Sequence, residues 1–205
     1  CIRSVFVHSL MSFDLLNETP KVVYYHNALT EKECDYVIKN ADNFEKSLGF
    51  DLASKQPKPT EWRTSSNHFD HAGKFKYITE KAAELSNHPV AHIEPPQILK
   101  YQIDEFYKPH HDFFNFPPEI ISTNNDRIGT VIFYLNDAFL GGATQFPSLN
   151  ITVRPRRGSA LFFEYNYSKD INHLTLHGGM SVIQGTKYIA TSWIRGNQWG
   201  HTHGS

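Results

Sequence analysis

The stretch YQIDEFYKPHHD, residues 101–112, places an imidazole and a carboxylate two residues apart, at His110 and Asp112. Side chains at positions i and i+2 of an extended strand project from one face, so both groups are expected to point at one spot while His111 points away. Two histidines and one carboxylate form the facial triad of non-haem Fe(II) sites, which leaves coordination positions open. The third ligand must come from elsewhere in the chain, and His177 is the candidate.

The same H-x-D spacing occurs a second time, at His68 and Asp70, in a chain with 12 His. The two copies differ in their surroundings. His110 follows the strand-like run ILKYQI, residues 98–103, whereas His68 lies in a polar stretch between two predicted helices. We therefore predict that His110 and Asp112 bind the metal; the alternative for this pair is a surface ion pair.

Further motifs follow the H-x-D pair in a fixed order: RIGTVIFYLND at 127–137, GGATQFP at 141–147, a P-x-x-G turn at 155–158, and His177 ten residues before Lys187. Together with Tyr101, nine residues before His110, they resemble the collagen-type prolyl 4-hydroxylase family of Fe(II)/2-oxoglutarate dioxygenases. The resemblance is close over residues 96–195. It is weaker upstream, where RTS at 63–65 is similar to an R-x-S motif of the family.

The resemblance implies that His110, Asp112 and His177 coordinate Fe(II). Zinc accepts such ligands too, so the identity of the metal rests on the resemblance. His173 lies four residues before His177 with the same strand parity and competes for the third position. The family spacing to Lys187 favours His177.

The implied co-substrates are 2-oxoglutarate and O2, and ascorbate is expected to support activity. Lys187 would pair with the distal carboxylate of 2-oxoglutarate, because a compact ammonium suits the end of a pocket. Tyr101 and Thr144 would add hydroxyl hydrogen bonds to the same carboxylate. The alternatives are a solvated Lys at a strand edge, an ordinary core Tyr and a strand Thr.

The resemblance also implies that three residues line a groove for a peptide: Arg127, Trp193 and Arg195. Arg195 departs from the family, in which some members carry His, and Trp193 has sheet packing as its alternative. Aromatic surfaces suit polyproline II segments, so the expected substrate is a proline within a proline-rich or collagen-like chain. The alternatives are hydroxylation of another residue or of a free amino acid, and a binding module of the same fold without turnover.

Short strand-like runs separated by turn signals dominate the second half of the chain, at 97–103, 127–135, 151–153, 159–164, 174–177 and 187–195. Many short strands without intervening helices predict antiparallel sheets packed face to face. The expected fold is therefore mostly β with flanking helices, a double-stranded β-helix (jelly roll) with the N-terminal helices packed on one sheet.

Two amphipathic helices are predicted before these strands. Thr30 and Glu33 have the spacing of a capping box at the start of the first helix. The second is expected to end at the NHP of residues 87–89. The segment SKQPKPTEWRTSSN, residues 54–67, is predicted to be a loop, either a plain connection or a flap over the site. Short strands are expected at 5–7 and 21–25.

Length and composition favour one domain over residues 1–205, with a supporting region at 1–95, a core at 96–195 and a tail at 196–205. A net charge of −1 gives no indication of nucleic-acid binding, and no apolar run reaches the length of a membrane span. Only Cys1 and Cys34 are present, enough for one bridge. The first residue is not Met, so we expect the secretory pathway if a leader or anchor was removed and the cytoplasm otherwise. His201 and His203, in the Gly-rich tail, are not expected to be ligands.

Overall fold

The computed structural model describes residues 11–51, 56–70, 72–113 and 126–199. Within these ranges the helices are α1 Glu31–Asn40, α2 Lys76–Ser86 and α3 Lys169–His173. The strands are β1 Ser12–Asn17, β2 Val22–His26, β3 Glu45–Lys46, β4 Leu48–Asp51, β5 Gln56–Pro59, β6 Ser66–Phe69, β7 Gln97–Tyr101, β8 Tyr107–His110, β9 Arg127–Tyr134, β10 Leu140–Gly141, β11 Thr144–Phe146, β12 Ile151–Val153, β13 Ala160–Glu164, β14 His177–Gly179, β15 Val182–Gln184 and β16 Lys187–Arg195.

Two antiparallel sheets form the body of the molecule. The larger has eight strands in the order β1-β2-β13-β9-β16-β7-β6-β3, and the smaller has four in the order β12-β11-β14-β8. The larger sheet packs its inner face on the smaller sheet and its outer face on α1 and α2. This arrangement confirms the predicted double-stranded β-helix with helices on one sheet.

Strand β9 shows why the fold has three layers. Val131 and Phe133 point outward into the core shared with the helices, and Ile132 and Tyr134 point inward toward Phe146 of the smaller sheet. All four are buried, because β9 lies between β13 and β16 and is covered on both faces. A strand that is apolar on both faces is typical of such a central position.

The first helix begins as predicted. The Glu33 backbone N–H donates to the Thr30 hydroxyl over 3.2 Å, and the Glu33 carboxylate accepts from the Thr30 backbone N–H over 2.7 Å. The second helix ends at Ser86, and Asn87 takes the left-handed conformation at φ 57°. Cys34 is a free, buried side chain of α1, and the other cysteine, Cys1, lies outside the described residues.

The strand predicted at 174–177 is wrong. The chain forms the short helix α3 up to His173, turns, and enters β14 only at His177. The Asn172 side chain explains the difference, because its oxygen accepts from the Tyr167 N–H at 3.0 Å and its amide donates to the Tyr167 carbonyl at 3.2 Å. Local bonds of this kind compete with a sheet ladder.

The loop predicted at 54–67 contains strand β5, which pairs with β4 as a separate two-stranded sheet. The strand predicted at 97–103 ends at Tyr101, where the Gln102 backbone N–H donates to the Glu105 carboxylate and Asp104 has a φ of 65°. The strand predicted at 5–7 lies outside the described residues, as do His201 and His203. In the part of the chain that the structure covers, no helix is both long and apolar enough to cross a bilayer.

Candidate active site

Strands β8 and β14 pair antiparallel and place His110 directly opposite His177. Asp112 follows β8, which ends at His110, so the predicted strand geometry for residues i and i+2 is wrong in that detail. The three side chains nevertheless converge, with one ligand atom of each lying within 4.8 Å of the others. Gly178 permits the close pairing, because a Cβ there would lie 2.8 Å from the Tyr107 carbonyl oxygen.

Both imidazoles are oriented by backbone carbonyls. His110 Nδ1 lies 2.9 Å from the Lys108 carbonyl oxygen, and His177 Nδ1 lies 2.9 Å from that of Thr175. A carbonyl only accepts, so each Nδ1 carries the proton and each Nε2 keeps a free lone pair. These Nε2 atoms face Asp112 at 3.4 and 3.6 Å. Metal-binding histidines almost always donate the N–H of the other ring nitrogen in this way, which fixes the ring orientation. The donor set therefore fits a divalent metal.

The charges at the three residues suit a metal as well. Burial by itself would raise the pKa of Asp112, but His177, His110 and Arg127 together hold that pKa well below its ordinary value. Burial lowers the pKa of His177 to about 4. At neutral pH the site therefore offers an ionised carboxylate and, at His177, a neutral imidazole.

Lys187 begins β16 opposite Tyr101 of β7 and is only 2% exposed. Its ammonium lies 5.1 Å from the centre of the Tyr101 ring, and burial lowers its pKa to about 7. Among the described residues no carboxylate forms an ion pair with it. Gly142 makes room for the stem, because a Cβ there would lie 3.1 Å from Lys187 Cδ. A buried cation of this kind is suited to an anionic ligand.

Thr144 is buried on β11, and its hydroxyl oxygen accepts from the Tyr134 hydroxyl over 2.8 Å. The Thr144 hydroxyl can therefore donate its own proton to another acceptor. Tyr101 is 3% exposed, and burial raises its pKa to about 12, which keeps it protonated and able to donate.

One cavity of about 760 Å³ connects these groups. Its walls include every residue predicted for the site except one: His110, Asp112, His177, Lys187, Tyr101, Thr144, Arg127 and Trp193. The exception is Arg195, which is not part of the wall but donates a hydrogen bond to the wall residue Glu94.

Glu94 was not predicted, and it ties the expected groove residues together. Its carboxylate accepts from Arg127 Nε at 2.8 Å and Nη2 at 3.1 Å, and from Arg195 Nε at 2.6 Å. The Arg127 guanidinium also lies 3.7 Å from the centre of the Trp193 ring. No local pattern marks Glu94, because its partners are brought to it only by the pairing of β9 with β16.

Tyr107 was also missed. Its ring stacks on His110 with centroids 3.5 Å apart and an interplanar angle of 13°, and Arg63 lies over the other face at 4.9 Å. The stack restricts rotation of the His110 ring. No local pattern marks this contact, because residues three apart on a regular strand project from opposite faces, and a register shift separates the two positions in the pairing of β8 with β14.

The second H-x-D pair has other partners. His68 Nδ1 lies 2.7 Å from the Asp42 carbonyl oxygen, and Asp70 accepts from the backbone N–H groups of Lys74 and Phe75. The Asp70 bonds hold the turn that precedes α2, and neither side chain belongs to a candidate ligand set among the described residues.

His111 and His173 contact one another and are not among the three converging side chains, although His111 lines the same cavity. His111 Nε2 lies 3.2 Å from the His173 carbonyl oxygen. His173 belongs to helix α3, so its predicted strand parity with His177 does not exist.

Comparison with known proteins gives a consistent picture. Residues 96–195 match the family model of the 2OG-Fe(II) oxygenase superfamily. The chain is 33% identical to "Probable prolyl 4-hydroxylase 10" of Arabidopsis thaliana, over 91% of this chain and 72% of that protein. It is 30% identical to "Prolyl 4-hydroxylase 5" of the same plant, over 88% and 70%.

Solved structures share the fold. The viral collagen prolyl hydroxylase of Paramecium Bursaria Chlorella virus-1, solved with 2OG, superposes with a TM-score of 0.64 at 24% identity over 85% of this chain and 95% of that one. A prolyl hydroxylase of Trichoplax adhaerens, solved with a hypoxia inducible factor peptide fragment, gives 0.61 at 18% identity over 87% and 84%.

Proposed function

This chain belongs to the prolyl 4-hydroxylase family of the 2OG-Fe(II) oxygenase superfamily, and we propose that it hydroxylates proline residues within peptides at ring carbon 4. The reaction uses Fe(II), O2 and 2-oxoglutarate and yields succinate, CO2 and 4-hydroxyproline. The observation that carries the proposal is one cavity whose wall holds three side chains suited to a metal and a buried Lys187 that has no carboxylate partner among the described residues.

His110, Asp112 and His177 would hold the metal, which when bound supplies the oxidising power needed to attack an unactivated C–H bond. The protein's own contribution is orientation. The Lys108 and Thr175 carbonyls fix which imidazole nitrogens face the metal. The sheets shield His177 and Lys187 from water, because both side chains are buried, whereas His110 and Asp112 remain partly exposed.

Lys187 would hold the distal carboxylate of 2-oxoglutarate, with Thr144 and Tyr101 donating hydrogen bonds to it. The Tyr134 hydroxyl supports this role by occupying the acceptor side of Thr144. A buried lysine has lost the hydration that stabilises its charged form. A carboxylate next to it stabilises that charged form again, so a carboxylate is a well-suited ligand.

The substrate side supports a proline in an extended, proline-rich or collagen-like chain. Arg127 and Trp193 form a flat, aromatic and cationic part of the cavity wall, and two hydrogen bonds from Arg127 to Glu94 fix this part. A polyproline II segment is already extended and loses little conformational entropy on binding, so such an open surface can hold it with modest contacts.

The test is incubation with Fe(II), 2-oxoglutarate, O2 and ascorbate, followed by mass spectrometry of the substrate and measurement of succinate. We expect a Pro-Pro-Gly or Pro-Ala-Pro-Lys repeat peptide to gain one oxygen per hydroxylated proline and the same peptide with Ala for Pro to gain none. Faster hydroxylation of free proline would contradict the peptide assignment and favour a free amino acid as substrate.

Trp193 allows a sharper test of the groove. Its ring lines the cavity beside the Arg127 guanidinium, where a proline ring of the peptide would pack against it. Truncating an aromatic side chain that anchors a bound partner typically costs more than ~1 kcal/mol. We expect Trp193→Ala to raise KM for the proline-rich peptide about tenfold or more and KM for 2-oxoglutarate much less.

Trp193→Phe tests the size of the aromatic surface, because it keeps an aromatic face under Arg127 and reduces its area. An intermediate peptide KM is expected for this variant. Equal changes in both KM values for Trp193→Ala would show that this side chain supports the sheet and does not contact the peptide.

A further inference from the structure

A short chain of hydrogen bonds leads from the Asp112 carboxylate into the larger sheet. The Thr130 hydroxyl donates to Asp112 Oδ2 over 2.7 Å, and Thr130 Oγ1 lies 2.9 Å from the Tyr165 hydroxyl. The Tyr165 hydroxyl also donates to the Gly129 carbonyl oxygen over 3.0 Å. Thr130 and Tyr165 are 0% and 2% exposed, so water does not compete for these bonds.

The number of hydroxyl protons determines which group donates at each hydrogen bond of this chain. An ionised carboxylate only accepts, so the single proton of Thr130 is directed at Asp112. Thr130 Oγ1 is then an acceptor toward Tyr165, whose one proton is shared between that oxygen and the Gly129 carbonyl. Because both ends of the chain are pure acceptors, Thr130 has one favoured hydroxyl orientation.

The backbone at Thr130 is held on both sides. In β9, Thr130 lies opposite Trp193 of β16 and Phe163 of β13, with ladder bonds along both neighbours. Asp112 itself follows the end of β8 and lacks such support. The hydrogen bond from Thr130 therefore holds the Asp112 carboxylate, which lies outside any strand, at a fixed place relative to the central strand β9.

We propose that Thr130, held by Tyr165, is a positioning residue that reserves Oδ2 of Asp112 and leaves Oδ1 to ligate the metal. Oδ1 faces His110 Nε2 at 3.4 Å, while Oδ2 lies 3.6 Å from His177 Nε2 and carries the Thr130 bond. A carboxylate that binds through both oxygens takes a coordination position that a facial triad otherwise leaves open. The inference rests on the proposed function, because it assumes Fe(II) at this triad.

The experiment measures the Fe(II) dissociation constant by anaerobic titration, without turnover. Removing an outer-shell partner of a ligand typically weakens metal binding about 10–100-fold. We expect Thr130→Val, which keeps the side-chain shape, to lose affinity in that range, and Thr130→Ser to restore most of it. Thr191→Val is the matched control, since Thr191 is a buried threonine that lines the same cavity on the next strand. It should leave the dissociation constant unchanged.

Tyr165→Phe tests the same hydrogen-bond chain if Thr130→Val fails to fold. We expect a smaller loss of affinity from it, and no added loss when it is combined with Thr130→Val, because both act through one hydroxyl. Wild-type Fe(II) affinity in folded Thr130→Val, or in Tyr165→Phe if that is the only folded variant, would overturn the inference. Failure of the wild-type protein to bind Fe(II) would instead overturn the proposed function.

Discussion

Alanine at His110, Asp112 or His177 is expected to abolish turnover and to weaken Fe(II) binding by more than the roughly 10–100-fold that outer-shell changes cause. The three side chains supply all the candidate ligand atoms of the site among the described residues, within 4.8 Å of one another. Losing any one leaves two ligands, too few to hold the metal in a facial arrangement. Anaerobic Fe(II) titration and succinate release measure the two effects separately.

His68→Ala is the control, because His68 belongs to the other H-x-D sequence and lies against the Asp42 carbonyl. It should bind Fe(II) and turn over like the wild-type protein. Asp112→Asn adds a test that preserves shape, since the amide has the size of the carboxylate but no charge. An active His110→Ala variant alongside a folded, inactive His68→Ala variant would reverse the site assignment.

Lys187→Ala is expected to leave Fe(II) bound and to weaken 2-oxoglutarate binding about 10²–10³-fold. Removing one partner of a buried ion pair costs about 3–5 kcal/mol, which corresponds to that change in affinity. The measurement is a titration of 2-oxoglutarate into the Fe(II)-loaded protein without O2. Lys100→Ala is the matched control, since Lys100 lies on the neighbouring strand but points outward over Phe44 and Tyr188.

The pH dependence gives a second measurement on the same residue. Without ligand the pKa of Lys187 is lowered to about 7 by burial, so the ammonium is lost as pH rises through 7. Binding of the carboxylate favours the charged form, so affinity is expected to be full below pH 7 and to fall about tenfold per pH unit above it. Lys187→Arg stays charged and should bind, if at all, without this dependence. A flat wild-type profile together with an unchanged Lys187→Ala affinity would place the carboxylate partner elsewhere.

Local sequence determined the elements whose causes lie within a few residues. The capping box of Thr30 and Glu33 starts α1, and the two-sided apolar run of β9 marks a central strand. The H-x-D spacing and its strand-like context indicated His110 and Asp112, and the resemblance to the prolyl 4-hydroxylase family added His177 and Lys187. The resemblance can indicate them because each motif of the family occupies a fixed place on its own strand or turn.

Contacts between distant strands were decided only by the tertiary structure. Glu94 meets Arg127 and Arg195 across the sheet, and Thr130 reaches Asp112 over a gap of 18 residues in sequence. These pairings depend on sheet register, and a shift by one residue would turn every side chain of a strand to the opposite face. Register is set by the summed packing of both sheets and the helices, so residue order alone could not assign the partners.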